Sequence, residues 1–148
     1  MAKGGSLPTL NSFLRGEIAA VETYRRALTR LEGHGDANDL RACLASHERR
    51  VARLRDRVAD LGGVPAEEPG PLGAFGRLYE KGDGPAPGDN DEATIAALEE
   101  GEDCGLKLYL DDVCKLDADS RRIVAREILP EQVRTHGYLS ELKLRDAG

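Results

Sequence analysis

LNSFLRGEIAAVETYRRAL, Leu10 to Leu28, is the stretch that decides the fold. Alternating steps of four and three place Leu10, Leu14, Val21, Tyr24 and Leu28 on one stripe, the pattern of an amphipathic helix that buries one side. Glu17 falls on the same stripe, at mid-length. A buried carboxylate costs several kcal/mol unless it is paired, protonated or metal-bound, so this helix must face a polar partner somewhere along an otherwise apolar core.

Working outward, the first helix is expected from about Pro8, suited to a first helical position, to Leu31, with Gly33 as its stop. A second starts near Asp36 or Asn38 and ends at Leu61, before Gly62-Gly63. A third follows Asn90 or Asp91 as N-cap and runs to about Leu116. The fourth runs from Asp119-Ser120 to about Leu144, and Pro130 inside it predicts a kink or a short break. Short turns at Gly33-His34-Gly35 and near Asp117 make two antiparallel hairpins. Between them lie residues 62–90, rich in Gly and Pro and long enough to span a bundle, with a short helix expected at Gly73–Lys81. The reading is all-α: a tail over 1–7, then a single domain over 8–146. Its architecture is a four-helix bundle of ferritin-like topology, two antiparallel hairpins joined by a long crossover.

The other helices carry stripes of the same kind. The second gives Leu40, Leu44, His47, Val51, Leu54, Val58 and Leu61. The third gives Ile95, Leu98, Glu102, Leu106, Tyr109, Val113 and Leu116, and the fourth Val124, Ile128, Glu131, Thr135, Tyr138 and Leu142. Each helix has an ionisable group near the middle of its stripe, which suggests one shared polar layer. The hairpins also echo one another: Gly16-Glu17 has Tyr24 seven residues on, and Gly101-Glu102 has Tyr109 seven residues on. A pseudo-twofold relation would set Glu17 and Glu102 across the bundle axis.

Composition agrees with a small globular domain. Of 148 residues, 40% are hydrophobic, 32% charged and only 4% aromatic, so the core must be aliphatic. No apolar run reaches the roughly 18 residues of a membrane span, and MAKGGSLPTL lacks the apolar region of a secretory signal, so a cytoplasmic protein is expected. The net charge is −6, and the basic run Arg49, Arg50, Arg53, Arg55 and Arg57 is interleaved with acids. It reads as a solvated helix face, and no nucleic-acid partner is expected. Cys43, Cys104 and Cys114 have no metal-type spacing and read as reduced thiols.

LNSFLRGEIAAVETY (Leu10–Tyr24) resembles the first helix of bacterioferritins, and HERRVARLRDRVADLGGVP (His47–Pro65) the end of their second. With LGGVP, EEGED and ILPEQVRTH in order, the chain is similar to a bacterial ferritin-like family built on a domain of unknown function. The resemblance implies a di-iron position fed by a Glu from the first and third helices and a Glu-x-x-His from the second and fourth. Glu17 and Glu102 match the single-Glu positions. The other two motifs are broken. His47 stands where Glu is expected and Arg50 where His is expected, while Gln132 and Thr135 take the last pair, with Glu131 and His136 each displaced by one residue.

Glu17, His47, Glu102, Glu131 and His136 are therefore the metal-ligand candidates. Arg50, Arg134, Gln132, Tyr24 and Tyr109 complete the expected polar layer, with ion pairs Glu17–Arg50 and Glu102–Arg134 in place of a metal. The tyrosines read as core aromatics with satisfied hydroxyls, and His34 as an exposed loop residue. The expected function is a non-enzymatic ferritin-like bundle with a degenerate di-metal position and no cofactor. An iron- or manganese-binding oxidase or storage protein and a small-ligand binder are the alternatives. A homodimer is expected through a helix face bearing Leu7, Phe13, Ile18 and Ala27.

Overall fold

The structure, a computed structural model, describes residues 3–69 and 91–147. Among these residues there is no strand. Helices α1 (Leu7–Arg30), α2 (Ala37–Asp60) and α3 (Asp91–Asp112) are followed by α4 (Ala118–Ile123), a π-helical stretch (Val124–Ile128) and α5 (Leu129–Ala147). The last three run on as one long helix, so the described residues form four long helices. The short helix expected at Gly73–Lys81 lies outside the described residues. No described helix is long and apolar enough to cross a membrane.

Local chemistry sets the ends. Pro8 lies in the first turn of α1, where its missing N–H forfeits nothing. Gly62, at φ 79°, adopts the left-handed conformation that lets Gly63 N–H reach back 3.0 Å to the Val58 carbonyl and close α2. His34 is more than a loop residue: its Nδ1 accepts the Asp36 N–H at 3.0 Å just before α2. Asp117 caps α4 by accepting the Ser120 N–H at 3.1 Å. The same carboxylate accepts Ser6 Oγ at 2.6 Å and Arg57 Nη2 at 3.4 Å, so one cap ties together the starts of α1 and α4 and the end of α2.

Pro130 breaks nothing. A proline lacks its own N–H and crowds the carbonyl four residues back, which here is Arg126. Arg126 sits inside the π-helical stretch, whose wider turn absorbs the misfit. The buried side of α5 keeps Thr135 and Leu142 of the expected stripe and exchanges two of its other members. Gln132, Thr135, Leu139 and Leu142 are buried there, whereas Glu131 and Tyr138 of the expected stripe stand at the rim.

Helices α1 and α2 pack along one another, as do α3 and α5, and α1 lies against α3; α2 and α5 touch more sparsely. The apolar core falls into two clusters. Tyr24, Leu31, Leu40, Ile95, Leu98 and Leu139 build one, and Leu10, Phe13, Leu54, Val58, Val124 and Ile128 the other. Phe13, Ile18 and Ala27, expected on an outer face offered to a second copy, are buried within the chain. The basic run of α2 also divides: Arg49 and Arg55 face outward, but Arg50 is buried.

Candidate functional site

Glu17, Ser46, His47, Arg50, Glu102, Gln132 and Thr135, all buried, form a polar layer between the two apolar clusters. His47 is its centre. Its Nδ1 lies 2.5 Å from Glu17 Oε1 and its Nε2 2.7 Å from Glu102 Oε2. A carboxylate can only accept, so an imidazole facing one on each side needs both N–H groups and is the imidazolium. Burial pulls the His47 pKa down, but Glu102 and Glu17 together raise it above the ordinary 6.5.

Arg50 supplies the second cation. Its guanidinium donates to Glu17 Oε2 at 3.2 Å, to Thr135 Oγ1 at 3.0 Å, to Ser46 Oγ at 3.1 Å and to Gln132 Oε1. Glu102 Oε1 accepts Thr135 Oγ1 at 2.8 Å and Gln132 Nε2 at 3.0 Å. The tyrosines exchange partners across the hairpins: Tyr109 donates to Glu17 Oε2 at 2.5 Å and Tyr24 to Glu102 Oε2 at 2.6 Å. The paired Gly-Glu and Tyr spacing in the sequence thus becomes a reciprocal pair of contacts.

Two carboxylates face one imidazolium and one guanidinium, so the layer is neutral. Burial alone would raise the Glu17 pKa, but Arg50, His47 and the Tyr109 hydroxyl outweigh it and hold the carboxyl at about 2. Glu102 is likewise lowered, against its burial, chiefly by His47 and Tyr24. Both phenols are pushed well above 10, first by burial and then by the carboxylates they touch, and stay protonated donors. Among the described residues, the buried side-chain oxygen without a hydrogen-bond partner is Glu22 Oε2, in the groove between α1 and α2 rather than in the layer. Beside Glu17 and His47, between Gly16 and Gly105, the packing leaves a cavity of ≈ 10 Å³, near the lower limit for a single water.

Two of the expected ligands and one expected cation lie elsewhere. Glu131 is at the rim, where it accepts Ser46 Oγ at 2.8 Å and Arg134 Nη2 at 2.9 Å. Arg134 is half-exposed and pairs with Glu131, three residues before it, rather than with Glu102. His136 sits on the outer side of α3 and α5, 3.2 Å from Asp103 Oδ1. All three stand beside the buried face of α5, which is formed by Gln132, Thr135 and Leu139. Ser46 was not singled out by sequence; the signal available is its position four residues before Arg50, on the same helix face.

The donors do not suit a dinuclear metal centre. Both ring nitrogens of His47 are committed as N–H donors, and a guanidinium offers no lone pair to a cation. Gln132 and Thr135 provide neutral oxygens that already bond Arg50 and Glu102. Comparison of the chain with protein-family models, curated proteins and solved structures finds no match.

Proposed function

We propose that the chain is a non-enzymatic bundle protein of the bacterial ferritin-like family its motifs resemble, with the metal position converted to a metal-free charge layer. The observation that carries this is His47, an imidazolium set between the two carboxylates that would otherwise bridge metals. Topology supports the family reading. Asn11, near the start of α1, bonds the Val64 carbonyl just beyond α2, while Ile95, near the start of α3, packs with Leu31 and Leu142 at the other end. The end of α2 and the start of α3 thus lie at opposite ends of the bundle, the placement that a ferritin-like crossover would have to join.

The layer's role in this reading is to fix helix register. Slipping any helix by one residue would strand a buried charge, at a typical cost of about 3–5 kcal/mol. Two irons bridged by carboxylates would need His47 and Arg50 to give up both positive charges. Iron loading of the purified protein followed by metal analysis and oxygen consumption tests the proposal. The expected result is iron at background level and no rapid oxygen uptake. Uptake of two irons per chain with fast oxygen consumption would overturn it. The double substitution His47→Glu with Arg50→His, which restores a carboxylate and an imidazole, is expected to raise iron affinity.

A further inference from the structure

We propose that Glu99, Asp103 and His136 form a surface site for one divalent transition cation of the zinc type, clipping α3 to α5. Glu99 and Asp103 are four residues apart on α3 and so share a face. His136 reaches them from α5: its Nε2 is 3.2 Å from Asp103 Oδ1 and 3.9 Å from Glu99 Oε2. One ligand atom from each residue lies within 4.8 Å of the others. Ligands bound tetrahedrally at 2.0–2.2 Å stand about 3.4 Å from one another, so the three atoms need only small shifts to share an ion.

The donor set favours this class of ion. One imidazole with two carboxylates suits Zn2+, whereas a purely oxygen site would suit Mg2+ or Ca2+. Glu99 and His136 are only 15% and 23% exposed at the side chain, which positions them, while Asp103 at 70% leaves the site open to solvent. Three protein ligands leave the fourth position to water. Lys143 Nζ, 3.0 Å from Glu99 Oε1, competes for one of the carboxylates and is displaced when the cation binds. The site is distinct from the polar layer, so its existence does not depend on the proposal above.

Calorimetric titration of the full chain with Zn2+ at neutral pH, beside zinc-induced shifts of backbone amide resonances, tests the site. One zinc per chain is expected, with the largest shifts around Asp103 and His136. His136→Ala, a partly exposed position whose fold circular dichroism can check, should weaken binding at least about tenfold. Lys143→Ala should strengthen it several-fold. Absence of one-to-one binding, or unchanged affinity in His136→Ala, would overturn this inference and leave the charge layer untouched. Shifts centred instead on Glu17, His47 and Glu102 would overturn both.

Discussion

Arg50 and Arg134 flank the same seam between α2 and α5, and Glu131 lies between them. Arg50 reaches Glu131 through Ser46 from the inside, while Arg134 bonds it directly from the outside. Arg50 is 1% exposed and has Glu17, Ser46, Gln132 and Thr135 around its guanidinium. Arg134 has a side chain 50% exposed and one close carboxylate on its own helix. The difference teaches that the supply of partners at depth, rather than the residue type, decides what a charge contributes. A buried guanidinium deserted by its partners cannot retreat into water, whereas one at the rim exchanges its carboxylate for solvent at little cost.

The largest expected effect breaks the inner half of that comparison. Arg50→Leu leaves Glu17 short of a cation in the core and should destabilise by about 3–5 kcal/mol in denaturant melts. A loss no larger than that of an exposed arginine would show that Arg50 is not needed for the layer.

Titration attacks the same charges without substitution. Glu17 is held at about 2, below its ordinary 4.5, so its contribution is complete above 4.5 and fades as pH falls towards 2. Glu102 and the rim residue Glu131 act in the same direction. His47 is raised above 6.5, so its contribution is complete below 6.5 and fades as pH rises through the folded value. Stability should therefore peak between these limbs. His47→Gln should flatten the alkaline decline, and a wild-type melting curve already flat above pH 7 would contradict the imidazolium.

Smaller effects are expected of the hydroxyls. Tyr109→Phe and Tyr24→Phe each remove a donor from a buried carboxylate and should cost about 1.5–3 kcal/mol. Tyr138→Phe, whose hydroxyl meets Asp36 at 3.0 Å near the surface, should cost less. The smallest change completes the contrast. Arg134→Leu should cost under about 1 kcal/mol, because its pair with Glu131 is screened and half-exposed.

Much of the fold was legible because helices announce themselves through period and end signals. The stripes of α1, α2 and α3 brought Glu17, His47 and Glu102 to one level, and the tyrosines were expected in the layer with satisfied hydroxyls, but the donation of each to the glutamate of the other hairpin was not legible. The last helix was the exception. A period of 3.6 allows a step of three or of four after Ile128, so the expected stripe ran through Glu131 and Tyr138 where the chain, still at helical spacing, buries Gln132 and Leu139 beside the expected Thr135 and Leu142. Pro130 signalled the disturbance but not its form. The Asp117, Ser6 and Arg57 contacts were illegible for another reason: they join residues up to 111 positions apart that share no period.

The reciprocal tyrosine contacts carry a consequence for how the two halves of the chain assemble. The α1–α2 hairpin brings Glu17, His47 and Arg50, one negative and two positive groups, whereas the α3–α5 half brings Glu102 alone. Each half by itself is thus a chemical torso, left with an excess charge of opposite sign and a phenol without its acceptor. Neither can close over its own polar groups, and each offers the electrostatic and hydrogen-bonding complement the other lacks. Docking of the hairpins and neutralisation of the interior are then a single event, which ties the two halves into one cooperative folding unit rather than two that meet after folding.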